Sequence, residues 1–160
     1  YIVRRIITFT DPWQDATGDG WQVIQSLYAI GSGGIFGTGL GDSKQKYLYI
    51  SEPHNDFIFA VLAEELGFIG CVAVIVLFGI FIWRGILIAM KAPDMFGSLL
   101  ATGITSLIGI QAIINIAVVT SSIPVTGMAL PFFSYGGTSL IILLCAVGVL
   151  LNISRQSQKI

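Results

Sequence analysis

The chain has 160 residues, of which 54% are hydrophobic and only 11% are charged, with a formal net charge of −1. A soluble domain carries about 25% charged residues, so this composition, with its mean hydropathy of +0.85, excludes an ordinary soluble protein and indicates a membrane protein. Basic residues cluster no more densely than Arg4-Arg5 or Lys44-x-Lys46, which excludes a nucleic-acid binder. The two cysteines, Cys71 and Cys145, sit in long apolar runs and give neither a disulfide framework nor a metal site. The first residue is a tyrosine and no signal peptide precedes it, so the sequence reads as the C-terminal part of a longer chain.

Residues 1–55 form the first unit, a loop with interfacial helices. In "YIVRRIITF" apolar residues flank Arg4 and Arg5, a pattern that suits either an interfacial helix or the end of a span. "DPWQDATGDGW" is turn chemistry with tryptophans suited to headgroup level. "WQVIQSLYAI" predicts a short surface helix with Gln22 and Gln25 on its polar side. "GSGGIFGTGLGDSKQK" invites a nucleotide-binding reading, but the spacing rejects it. A G-x-G-x-x-G frame from Gly31 meets Phe36, and one from Gly37 meets Asp42. Glycine-rich backbone beside a membrane predicts close main-chain approach to another helix or to a ligand. Lys44 and Lys46 follow it directly and suit either a diphosphate or lipid headgroups.

Residues 56–160 form the second unit, with three spans predicted at about 57–84, 96–120 and 138–154. Leu66 to Trp83 contains no charge, 18 residues or roughly 27 Å of helix. After Asp94 no charged residue appears until Arg155. Pro124, Gly127, Pro131, Gly136 and Gly137 divide that stretch into two helices joined by a hairpin over 121–137. Arg84 and Lys91 follow the first span, and Arg155 and Lys159 follow the third. The positive-inside bias makes both ends cytoplasmic and turns the hairpin, residues 1–56 and the Asp56 carboxylate outward.

Polar residues at the span boundaries are the candidates for function. Asp56 suits either a helix cap, as does Asn55, or a functional carboxylate. Glu64 and Glu65 must face protein or a hydrated cavity, and Glu64 lies eight residues, about two helical turns, after Asp56. Gln111 and Asn115 are one turn apart, and Ser98, Thr102 and Ser106 repeat at four-residue spacing. Both sets predict helix–helix packing. His54, the one histidine, is a poor metal ligand without partners.

Taken in order, "DPW", "IQSLYAIGSGGIFGTGLGDSKQKYLYISEPHNDFIFAVLAEELGFIG", "WRG", "KAPD", "NIAVV", "ALPFFSYGGTSL" and "VGVLLNISR" resemble the C-terminal portion of the SEDS proteins, the FtsW, RodA and SpoVE family. "IPVTG" resembles the SpoVE and Gram-positive FtsW branch most. The resemblance implies an all-α polytopic membrane protein of ten spans, of which this chain supplies the last three and the outer loop before them. It implies a peptidoglycan glycosyltransferase that polymerises lipid II into glycan strands, with a class B penicillin-binding protein as transpeptidase partner. It implies a bacterial plasma-membrane location with the active face outside. The family's essential aspartate falls on Asp56, as general base or as ligand of a divalent cation (Mg or Mn), and no organic cofactor is implied. Lys44, Gln45 and Lys46 become substrate-binding residues, joined by Ser134 and Tyr135 of the hairpin, with Arg4, Arg5, His54 and Glu64 in support. Lys44 replaces the family's usual arginine, which keeps the charge but loses its bidentate geometry. Asn55 replaces the usual threonine, and Thr126 stands where many division-branch members carry lysine. A lipid II flippase and a non-catalytic scaffold of a cell-wall complex are the alternatives.

Overall fold

Helices account for all the regular structure among the described residues, which are residue 9 and residues 12–15, 19–39 and 56–157 of a computed structural model. A 3₁₀ turn, Pro12–Asp15, leads into α1, Asp19–Gly33, and the Trp13 ring meets Tyr28 edge-on at 6.2 Å between centroids. The buried face of α1 includes Val23, Ile24, Ser26 and Ala29, while Leu27 and Tyr28 are exposed. Gln25 departs from expectation, since it is buried rather than on an outer polar side. Val23, Ile24 and Ala29 bury a broad face of α1 that takes in Gln25, and the Ser26 hydroxyl on that face shares its proton between Val23 O at 2.8 Å and Val119 O at 3.3 Å.

The long helix α2, Ile58–Met90, has 33 residues and would measure about 50 Å if straight. A span closing at Arg84 is predicted, but the helix runs on to Met90. Arg84 ends the apolar run without ending the helix, because arginine is a good helix former and "GILIAM" contains no breaker except one glycine. Pro93 then prevents continuation, and Asp94 caps α3, Met95–Val119, with Oδ2 accepting from Gly97 N at 2.9 Å. α4 covers Gly137–Ser157. The last three helices are each long and apolar enough to cross a membrane, and the chain is an integral membrane protein.

α2 and α3 pack through Gly97, Ala101, Thr105, Gly109 and Ala112, all buried. A Cβ added at Gly85 would overlap the Thr105 side chain, so the two backbones approach as small-residue faces allow. The predicted stripe of Ser98, Thr102 and Ser106 is not that face. Thr102 and Ser106 are exposed, and their hydroxyls bond Ser98 O at 2.9 Å and Gly103 O at 3.0 Å. The hydroxyl stripe satisfies itself along its own helix, while the face one residue earlier in the chain carries the contact.

The segment joining α3 to α4 turns back among the helices. Phe133 meets Phe78 at 6.2 Å and Phe132 meets Phe81 at 6.0 Å between ring centroids. Phe78 and Phe81 lie eleven and fourteen residues beyond Gly67, about 16 and 21 Å along α2. Irregular backbone is tolerated at such depth where protein covers it. Leu130 and Pro131 are buried, and the turn closes on itself through Ser134 N to Leu130 O at 3.1 Å and Leu130 N to Ser134 Oγ at 2.7 Å.

Candidate functional site

Near its start α2 is broken at Gly67, whose backbone (φ 67°, ψ −165°) is not helical. In an unbroken helix Phe68 N would bond Glu64 O and Ile69 N would bond Glu65 O. The break leaves those four groups without helical partners, and burying them unpaired would be costly. The glycine-rich segment after α1 satisfies all four. Thr38 N and Gly39 N donate to Glu64 O and Glu65 O at 2.9 and 3.2 Å. Phe68 N and Ile69 N donate to Gly34 O and Ile35 O at 2.9 and 3.3 Å, and the Thr38 hydroxyl adds a bond to Glu64 O at 3.1 Å. Such contact requires bare backbone on both sides, since a Cβ on Gly37 would overlap the Glu65 carbonyl and one on Gly67 would overlap Gly37 N. The glycines predicted to approach a helix or a ligand approach a helix.

This clamp fixes the first turns of α2, and with them Asp56. The N-cap position belongs to Phe57, whose carbonyl accepts from Ala60 N at 3.0 Å and Val61 N at 3.4 Å. Asp56 lies one residue before it, so the cap position that would explain the carboxylate is held by another residue. The Asp56 carboxylate is half-buried and faces the hairpin: its Oδ2 is the atom nearest a Cβ built on Gly127, at 3.4 Å. Gly127 has a φ of 68°, so a side chain there would be strained and would crowd the acid.

Asn115 joins these pieces. Its side chain is 1% exposed, and Nδ2 donates to Asp56 O at 2.8 Å and to Met128 O at 2.6 Å. One amide therefore holds the main chain at Asp56 and the hairpin at Met128 together. Both partners are carbonyls, which fixes the amide orientation. Asn115 Oδ1 is buried with no hydrogen-bond partner among the described residues. Sequence spacing predicts Asn115 as helix–helix packing, whereas the structure shows it tying two non-helical segments to the end of α3.

The other sequence candidates fall at several places. Glu64 is 3% exposed and lies at the helix break, and the buried Oε1 of its neighbour Glu65 has no partner among the described residues. Ser134 bonds across its own turn and lines a cavity of about 270 Å³ with Ile104, Gln111, Leu130, Phe132 and Leu143, between α3 and α4. Tyr135 is 84% exposed. Arg4, Arg5, Lys44, Gln45, Lys46 and His54 lie outside the described residues. Among the described residues no three His, Cys, Asp or Glu side chains gather into a metal site. One carboxylate together with substrate oxygens is nonetheless a donor set that a magnesium-type ion accepts, and Asp56 fits it.

Helices and site together define a polytopic membrane protein with a half-buried carboxylate facing its hairpin and a glycine-rich segment clamped to the break in α2. Residues 1–159 match the family model described as cell cycle protein, of the FtsW, RodA and SpoVE type, and the chain belongs to that family. It is 59% identical over 158 residues to stage V sporulation protein E of Bacillus subtilis, covering 99% of this chain and 43% of that protein. It is 56% identical over 156 residues to a probable peptidoglycan glycosyltransferase FtsW of Geobacter sp. (strain M18), covering 98% of this chain and 42% of that protein. Among solved structures it is similar to a chain of a peptidoglycan synthase complex that coordinates polymerization and crosslinking, with a TM-score of 0.73 and 36% identity over 96% of this chain and 41% of that one. The rod shape determining protein RodA of Thermus thermophilus gives a TM-score of 0.62 and 37% identity, over 82% of this chain and 39% of that one. The chain thus spans about two fifths of the length of the relatives it matches.

Proposed function

We propose that this chain is the C-terminal portion of a lipid II polymerase, a peptidoglycan glycosyltransferase of the bacterial plasma membrane, with Asp56 as its catalytic carboxylate. The observation that carries this is the position of Asp56. It lies outside the cap of α2, its carboxylate faces Gly127, and its main chain is held by Asn115. The names of the relatives support the activity. The positive-inside pattern supports an outward-facing site and a cytoplasmic C-terminus.

Asp56 accepts the proton of the attacking sugar 4-hydroxyl as the new bond forms at the donor anomeric carbon. The bond from that carbon to the diphosphate breaks, and the diphosphate leaves with the electron pair. An α-linked donor then yields a β-1,4 link, with inversion at the anomeric carbon. A glycosidase needs a second carboxyl to protonate a poor leaving group. A diphosphate leaves readily once its charge is matched, so one base suffices. Lys44, Gln45 and Lys46 are the residues proposed to match that charge. If a divalent cation served the diphosphate, Asp56 would be the carboxylate proposed to hold it. Ser134 lines the apolar cavity between α3 and α4, which suits the lipid tail of the substrate. A class B penicillin-binding protein is the proposed partner that crosslinks the strands, and the peptidoglycan synthase complex among the structural relatives supports it.

The test is glycan-strand formation from lipid II by the full-length protein with its transpeptidase partner, comparing wild type with Asp56→Asn. Asparagine matches aspartate closely in size and shape but is not a base that can take the proton. Loss of strands with the complex still assembled is the expected result. Normal polymerisation by the variant would remove Asp56 from the chemistry and reopen the flippase and scaffold alternatives.

A further inference from the structure

At the end of the molecule opposite Asp56, the last turns of α2 and α4 line a half-open cavity of about 190 Å³. Its lining is Arg84, Leu87, Ile88, Lys91, Ser154 and Ser157. The four α2 residues fall at i, i+3, i+4 and i+7, one face of a helix. Two cations, two hydroxyl-bearing residues and an apolar floor therefore meet in one concavity. Neither Arg84 nor Lys91 forms an ion pair among the described residues. The single acid between residues 66 and 157, Asp94, is engaged with Gly97 N as the cap of α3.

Helix ends offer a simpler reason for cations here, since each C-terminus carries about half a negative charge. Two such ends offset roughly one of the two lining cations, and Arg155 on α4 adds a third. A positive excess remains, and a phosphate is the group that both guanidinium and hydroxyl donors suit. Depth selects the kind of phosphate. Arg84 lies seventeen residues beyond Gly67, about 26 Å along α2, close to the thickness of a hydrocarbon core of roughly 30 Å. Lys91 lies about 10 Å further on. The cavity thus straddles the boundary between hydrocarbon and headgroups, where Leu87 and Ile88 would meet the glycerol and first methylenes of a lipid.

From this placement we infer that the cavity is a binding site for the phosphate of an anionic phospholipid, in the leaflet opposite the Asp56 face. Arg84 and Lys91 engage the phosphate oxygens, Ser154 adds a hydroxyl donor, and Leu87 and Ile88 carry the apolar part of the molecule. Such a basic cavity between spans is the general form of an anionic-headgroup site.

The test uses the full-length protein in detergent, with bound lipid counted by native mass spectrometry as phosphatidylglycerol or phosphatidylcholine is added. Wild type should retain phosphatidylglycerol preferentially. Arg84→Gln and Lys91→Gln should each weaken that retention about five-fold and leave phosphatidylcholine unchanged. Because both cations also bear on membrane orientation, Ser154→Leu provides a variant that fills the cavity and keeps every charge. It should lose phosphatidylglycerol as well. Unchanged retention in Ser154→Leu, or equal retention of the two lipids by wild type, would overturn the site. Displacement of the lipid by millimolar inorganic phosphate would overturn the lipid assignment in favour of a free anion.

Discussion

Asn115 makes the two hydrogen bonds that hold Asp56 and Met128 to the same helix end. Replacing it by aspartate changes almost no volume but turns a carboxylate oxygen toward two carbonyl oxygens. Two partly buried carbonyl acceptors lose their donor, at about 1–3 kcal/mol each, so Asn115→Asp should lower unfolding stability by about 2–6 kcal/mol. The effect on catalysis should be larger than stability alone accounts for, because a shift of about 1 Å in a reacting group is worth roughly a hundred-fold in rate. Steady-state polymerisation by the full-length protein checks this: kcat should fall by about that factor with KM little changed. An unaltered kcat would mean that the tether does not position Asp56. The spacing of Gln111 and Asn115 marks both residues in the sequence, yet the partners of Asn115 are main-chain atoms 59 and 13 residues away. Main-chain acceptors have no residue-type signature, so this part of the site was not legible. Asp56 stands out as a candidate, because a carboxylate beside an apolar run is unusual whatever surrounds it.

The break in α2 is the element on which the site rests. Gly67 combines a positive φ with close contact against Gly37 N and Ile35 O. Gly67→Ala should therefore cost about 1–3 kcal/mol for the backbone alone, since its φ of 67° with ψ of −165° is open essentially to glycine only, and more as the four bonds to the 34–39 segment are pushed apart. Gly79 is the internal comparison. It lies in the same helix with nothing within 4 Å of an added Cβ, and Gly79→Ala should raise stability by about 0.5–1 kcal/mol. Thermal unfolding of the two variants in detergent, followed through tryptophan fluorescence, should move in opposite directions. A Gly67→Ala protein as stable as wild type would show that the break is incidental. Helix existence was legible throughout, because long charge-free runs have few other solutions beside a membrane. The break was not, since "EELGFIG" reads as continuous helix until the 34–39 segment is laid beside it. The packing face of α3 was also within reach, as Gly97, Ala101, Thr105 and Gly109 recur every four residues. The adjacent hydroxyl stripe carries the same period and competes for attention.

On the scale of the whole molecule the two ends are chemically unlike. One gathers Asp56, Glu64, the glycine-rich clamp and the hairpin, and the other gathers Arg84, Lys91 and Arg155 with a single acid, Asp94, committed to a cap. That asymmetry gives the chain a direction across the bilayer, and it must run one way for the proposed chemistry, with the carboxylate end outside. Substituted cysteines measure the direction. In a full-length protein whose Cys71 and Cys145, both free, are replaced by alanine, Thr126→Cys and Gln156→Cys report on opposite ends. Both positions are exposed. In intact cells a membrane-impermeant maleimide should label Thr126→Cys, while Gln156→Cys should label only after the membrane is opened. The reverse pattern would put Asp56 on the cytoplasmic side, where it could not serve a polymerase that builds strands outside. The positive-inside rule works through the short loops flanking the spans, so Arg84→Glu with Lys91→Glu should weaken the bias and yield a mixed labelling pattern. A labelling pattern indifferent to that charge reversal would place the orienting signal elsewhere in the full-length chain.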